Sequence, residues 1–179
     1  MPSQLSVSIG QYSDKGRKDI NQDCTSTFIP NDHLLTTKGI AGVIADGISS
    51  SAVSQIASET AVLNFLDDFY CTSEALSVKK SGLQVLRSIN SWLYAQTRKS
   101  EYRYDKDKGY VCTLSAIVIK SKTAHLFHIG DSRLYRIRAG KIELCTKDHR
   151  RYVDKETSYL SKALGINETA DIDYIALDI

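Results

Sequence analysis

Proline is nearly missing from these 179 residues: two occur, beside ten glycines and no low-complexity run. No flexible linker or fixed-period repeat is legible, so a single domain over residues 1–179 is expected. No apolar stretch approaches the roughly 20 residues that a bilayer-spanning helix needs, so no membrane contact is expected within this segment. An excess of one charge is lacking too, with 23 Lys and Arg against 21 Asp and Glu, a net +2. Without a one-sided field, nucleic acid is not an expected partner, and the basic run from Lys147 to Arg151 is too local to change that. The four cysteines, Cys24, Cys71, Cys112 and Cys145, form no CxxC pair and follow no charged-then-apolar leader. They read as reduced thiols of a cytoplasmic protein.

What the chain does contain is enough apolar residue, 42%, to bury a sizeable core. Period-2 alternation predicts a first strand over Leu5 to Gln11, then strands over Cys24 to Ile29 and Ile40 to Ala45 with a Pro30-Asn31-Asp32 turn between them. Helical spacing predicts one helix from Ser49 to Tyr70, capped by Ser49, Ser50 or Ser51, and a second from Glu74 to about Thr97. A charged, tyrosine-rich loop follows from Lys99 to Lys108. Short β-rich runs at 110–119, 123–130, 134–138 and 141–144 read as a meander. A short helix over Tyr152 to Leu164, ending at Gly165, and a final strand over Asp171 to Ile179 complete the expectation. Strands, then helices, then strands is the order of an α+β fold with sheets face to face and helices outside.

Chemistry concentrates at Asp46. Val43, Ile44 and Ala45 form the end of a buried strand, and Gly47 permits a sharp turn directly after the acid. A carboxylate at the mouth of an apolar strand is costly to desolvate, and binding a divalent cation is one way to offset that cost. An Asp-Gly turn without chemistry is the competing reading of these residues alone. The polar stretch from Tyr12 to Asp23 holds more charged and amide groups than a simple turn requires.

Five pieces occur in a fixed order: Gly16-Arg17-Lys18-Asp19-Ile20-Asn21-Gln22-Asp23; Ala45-Asp46-Gly47; Gly109 to Leu114; His128-Ile129-Gly130-Asp131-Ser132-Arg133-Leu134-Tyr135; and Thr146-Lys147-Asp148-His149 with Leu160 to Gly165. This order resembles the metal-dependent PPM-type (type 2C-like) serine/threonine protein phosphatases, with the block 128–135 its most specific part. The resemblance implies a β-sandwich of two mainly antiparallel sheets flanked by helices, C-terminally incomplete here. It implies hydrolysis of phosphoserine and phosphothreonine in proteins by two Mn²⁺ or Mg²⁺ ions, with a third, weaker site. Asp46 would bridge the ions, the Gly47 carbonyl would bind one, Asp23 would organise their waters, and Asp131 would ligate the third. Asp46 and Asp23 are thus the expected catalytic residues, and Lys18 with Arg17 the expected grip on substrate phosphate. An oxygen-only donor set suits hard cations and does not imply zinc.

The chain departs from the family pattern in several places. Lys18 stands where an arginine is usual, Gln22 where an acid is usual, Ile48-Ser49-Ser50 follows Asp46-Gly47, and Cys112-Thr113 replaces a Thr-Thr pair. The later Asp-Gly and Asp-Asn segments of the family have no counterpart, since Asp173 and Asp178 lie in strand-like sequence. Phosphorylated proteins are the expected substrates, and a fused or cognate protein kinase an expected partner. Two function classes remain: a signalling phosphatase whose activity belongs to a longer product, or a catalytically inactive module that binds phosphoproteins. His128 reads as a packed histidine, His149 as a group able to protonate a leaving alkoxide, and Arg133 as a brace for the Asp131 loop.

Overall fold

The computed structural model describes residues 6–152 and 158–179. Alternating apolar residues build a five-stranded antiparallel sheet from β1 (Asp23–Phe28), β2 (Ile40–Asp46), β3 (Leu114–Lys120), β4 (Thr123–Ile129) and β9 (Asp173–Asp178), in the order β1-β2-β3-β4-β9. Two small antiparallel ribbons accompany it, β5 (Tyr135–Arg138) with β6 (Lys141–Leu144) and β7 (Arg150–Tyr152) with β8 (Ser158–Leu160).

Ladder register sets which side chains share a face. Val43 pairs with Ala116, Ala116 with Phe127, and Phe127 with Tyr174, so these project together. Their face is covered by two long helices, α2 (Ser54–Cys71) and α3 (Val78–Lys99), which pack on each other. Ala57, Ala61, Phe65 and Phe69 of α2 and Val85, Leu86, Ile89 and Leu93 of α3 close the core against the sheet. The opposite face carries Ile44, Ile117, Ile119 and Ile175 and is more open, with Ile44 43% exposed. This is an α+β arrangement of mainly antiparallel sheet and helices, as the sequence predicts.

Several expectations need correction. Ser6 to Gln11 forms no strand, and Leu5 lies outside the described residues. Alternation there is real, but Ile9 is 43% exposed, so the segment has apolar side chains without a ladder to hold them. The Pro30-Asn31-Asp32 turn leads into a short helix, α1 (Asp32–Thr37), before β2 begins. Helix α2 starts at Ser54, not Ser49, and no side chain caps it. The serines ahead of it are used otherwise: Ser50 Oγ donates to the Asp107 carbonyl at 2.7 Å, and Ser51 Oγ lies 2.8 Å from the carbonyl of Gly109. Helix α2 turns Ala57, Ala61 and Phe65 inward and leaves Ile56 46% exposed.

The expected helix from Tyr152 to Leu164 is absent among the described residues, and Val153 to Thr157 lie outside them. Tyr152 ends β7, Ser158 begins β8, and the two strands pair. Beyond them, Leu164 exchanges backbone hydrogen bonds with Cys112 at 2.9 and 3.3 Å, a tertiary pairing that overrides the local helical pattern. Lys99 to Lys108 contains two turns of 3-10 helix, Glu101–Tyr104 and Lys106–Lys108. No helix among the described residues is long and apolar enough to cross a membrane.

Candidate active site

The β1–β2 ladder places Asp23 directly opposite Asp46. Directly opposed residues of an antiparallel pair hold their Cβ atoms roughly 4.5–5.5 Å apart, where like charges repel. Accordingly the Asp46 carboxyl is pushed up to about 6 from an ordinary value of 3.8. Desolvation is the largest cause, followed by the hydrogen bond and the charge of Asp23; Asp131 adds to the rise and Lys18 opposes it. Sharing a proton relieves such a pair, and so does a cation.

The backbone around Asp46 is fixed from three sides. Its N–H donates to Thr113 Oγ1 at 3.2 Å, and its carbonyl accepts from the Thr113 N–H at 2.8 Å. Thr113 Oγ1 lies 2.8 Å from Ser132 Oγ, which ties the Asp46 turn to the Gly130-Asp131-Ser132 turn. Gly47 is required by crowding, since a Cβ there would lie 2.6 Å from the Ser54 carbonyl oxygen. Among the described residues nothing donates a hydrogen bond to the Gly47 carbonyl, which leaves that oxygen available to a ligand.

Gln22 makes the third attachment. Its side-chain nitrogen Nε2 donates to Ser54 Oγ at 2.7 Å and to the Ser51 carbonyl at 3.0 Å, while its backbone carbonyl accepts from the Gly47 N–H at 3.0 Å and from Ser58 Oγ at 2.6 Å. The residue that stands in place of an acid is thus a clamp between β1, the Asp46 turn and the start of α2. Gln22→Ala is expected to lower stability by about 1–3 kcal/mol, because the partly buried Ser51 carbonyl and Ser54 hydroxyl each lose a partner. Urea unfolding checks this, and an unchanged midpoint would show that the clamp contributes nothing.

Asp46, Gly47, Lys18 and Asp131 line one cleft of about 520 Å³, together with Thr113, Arg150, Ser158 and Tyr159. Arg17 lies exposed on the preceding turn and is not among the lining residues. Lys18 Nζ donates to Gln22 Oε1 at 3.2 Å. Asp131 meets Arg150 across the cleft wall, with Oδ2 accepting from Nε at 2.7 Å. Among the described residues no three His, Cys, Asp or Glu side chains gather closely enough to hold one ion. The structure therefore brings Asp23, Asp46 and Gly47 together at one spot, Lys18 beside them, and Asp131 in the same cleft but paired to an arginine.

The Asp131 turn is itself braced. Gly130 adopts φ +115°, in the region that favours glycine, and a Cβ there would lie 2.4 Å from that of Thr113. Its N–H donates to His149 Nδ1 at 3.0 Å, and its carbonyl accepts from the His149 N–H at 2.8 Å. Nδ1 of His149 is thereby the acceptor, so Nε2 carries the proton toward Asp173 Oδ2 at 3.1 Å. Arg133 holds Asp148 by two nitrogens at 2.9 and 2.6 Å, which keeps the Asp148 carboxyl below its usual range. His128 is 1% exposed, bonded to Ser115 and the Lys147 carbonyl, and burial pushes its pKa down. A larger groove of about 740 Å³ runs along α3 beside Leu76, Lys80 and Arg87, but it holds no carboxylate or imidazole.

Sequence reasoning missed Arg150, seen only as one cation in a basic run, and the positioning work of Gln22 and Thr113. Position immediately after His149 was the one signal available for Arg150.

Comparison with known proteins places the family and the fold. The model of the family described as protein phosphatase 2C matches residues 11–171. A putative protein phosphatase 2C-type of Streptococcus pyogenes serotype M6 is 28% identical over 152 residues, 83% of this chain and 55% of that protein. The serine/threonine protein phosphatase PstP of Mycobacterium tuberculosis is 35% identical over 107 residues, 59% of this chain and 20% of that protein. The solved structure of the serine/threonine phosphatase Stp1 from Staphylococcus aureus superposes with a TM-score of 0.77 at 19% identity, over 94% of this chain and 70% of that one.

The fold and the matched segment define a phosphatase-like α+β domain. The chain belongs to the protein phosphatase 2C family. It spans about half the length, 55%, of the streptococcal relative and a fifth, 20%, of the mycobacterial one.

Proposed function

We propose that this chain takes part in the metal-dependent hydrolysis of phosphoserine and phosphothreonine in cytoplasmic proteins. The observation that carries the proposal is Asp46, opposed across the ladder by Asp23 and lining, beside Lys18, a cleft of about 520 Å³ that has room for a phosphorylated side chain. The donor set fits a hard cation: carboxylates, an unengaged backbone carbonyl at Gly47, and room for water. Asp46, Gly47 and Asp23 would hold a pair of Mn²⁺ or Mg²⁺ ions, and Asp131 a third. Such ions, when bound, would acidify a water and neutralise phosphoryl oxygens.

The chain's own residues do the rest. Asp46, held by Thr113 and Gly47, supplies charge at a fixed place, and Asp23 shares its proton or its cation. Lys18 offsets the substrate's negative charge at the same cleft. Phosphorylated proteins are the substrates under this reading, and a protein kinase that generates them is the matching partner.

A second reading, a phosphoprotein-binding module without turnover, is favoured by two observations: Asp131 is paired to Arg150, and no three ligating side chains gather among the described residues. Release of phosphate from a phosphothreonine peptide, followed with Mn²⁺, with Mg²⁺ and with chelator, separates the two. The phosphatase reading expects release that chelator abolishes. Binding of the peptide with no release under any condition supports the module instead.

A further inference from the structure

Arg150 opens β7, one residue after His149, and its guanidinium enters the cleft shared by Asp46, Lys18 and Asp131. Two of its nitrogens reach Asp131 Oδ2, Nε at 2.7 Å and Nη2 at 2.6 Å, while Nη1 donates to Ser158 Oγ at 2.7 Å. The backbone beneath it is anchored by the His149–Gly130 exchange and by pairing with Leu160 on β8. The side chain remains 39% exposed, so it faces the cleft and is not sealed behind it. Neither of the two other basic groups near the cleft offers the same chemistry. Arg17 does not line it, and Lys18 is a compact point charge already bonded to Gln22.

We infer that Arg150 is the guanidinium that grips the phosphoryl group of the substrate, and that Asp131 is where it rests when the cleft holds no phosphate. This rests on the phosphatase reading above. A carboxylate and a phosphoryl group present similar pairs of oxygen acceptors to a planar fork, so a partner that fits one fits the other. The phosphoryl group of a phosphoserine carries close to two negative charges near neutral pH, against one for Asp131. Ser158 retains Nη1, so the exchange needs reorientation of the guanidinium and not a new backbone path. A cation bound by Asp131 would weaken its hold on Arg150 and favour the exchange further.

Binding of inorganic phosphate to the full chain in Mn²⁺, measured by calorimetry, tests the inference, with bound Mn²⁺ counted by electron paramagnetic resonance. Arg150→Ala is expected to weaken phosphate binding about tenfold and Arg150→Lys by less, with Arg17→Ala within twofold of wild type. The Mn²⁺ count should be the same in all. Phosphate affinity of Arg150→Ala within twofold of wild type overturns the inference and leaves the phosphatase reading intact. Loss of Mn²⁺ together with phosphate also overturns it, because the arginine would then be a brace for the Asp131 turn. Should Arg150→Ala not fold, Arg150→Lys decides: unchanged phosphate affinity overturns the inference. Wild type that takes up neither Mn²⁺ nor phosphate overturns both this inference and the reading beneath it.

Discussion

Asp46→Asn is expected to remove Mn²⁺-dependent turnover, by about a thousandfold or more, while making the metal-free protein more stable at neutral pH. Loss of activity follows from deleting the central carboxylate of the pair. Gain of stability follows from linkage. In the unfolded chain this carboxyl titrates near 3.8, and in the fold near 6, so between these values the folded state binds more protons. Its contribution is therefore full below about pH 4, falls as pH rises through about 6, and is flat above. Two units correspond to at most about 3 kcal/mol, and solvent screening at this cleft-facing group reduces that to about 1 kcal/mol. Urea unfolding in chelator at pH 4.5 and pH 7 reads the effect. Wild type should lose stability between the two by this amount more than Asp46→Asn does, and parallel behaviour would remove the case for a strained pair.

Phe127→Ala is expected to cost about 3–5 kcal/mol, a large part of the roughly 5–15 kcal/mol that holds a domain of this kind together. The ring is fully buried at the junction of sheet and helices, with centroids 6.1 Å from Phe65 and 5.4 Å from Tyr174. It presses on the backbone of α3 at Gly82, where a Cβ would lie 2.3 Å from the ring, and a glycine has no side chain that could move into the space that alanine leaves. Strand β4 runs from this ring to Ile129 and directly into the Gly130-Asp131 turn, so the site should loosen with the core. Denaturant unfolding at neutral pH gives the number, and a loss under about 1 kcal/mol would mean that α3 does not sit on the sheet in this way.

Local pattern reveals much of this molecule, and its failures have physical causes. The helix pair and the strands from residue 23 to 46 and 114 to 144 follow from periodicity because their apolar faces meet one another. Ser6 to Gln11 has the alternation without a ladder, and Ala163-Leu164 has helical spacing but pairs with Cys112 across the molecule. Strand pairing is decided between distant residues, which no window of sequence contains. At the cleft, the place of Asp46 is legible because a strand end and an Asp-Gly pair mark it, whereas Asp23 reads locally as a loop acid and stands out only through the family resemblance. Gln22 and Arg150 are not legible, since an amide in a polar loop and an arginine in a basic run acquire their meaning only from Ser54 and Asp131, each contributed by a separate element.

The parity of β2 joins the cleft to folding. Ala41, Val43 and Ala45 lie beneath the helices, and the same two-residue alternation turns Asp46 outward, toward the cleft. Slippage of that strand by a single position would bury the acid under α2 and expose three core residues at once. Substitutions far from the cleft that permit such a shift would displace Asp46 without altering any residue that lines the cleft, and the loss would be read wrongly as a defect of the site itself.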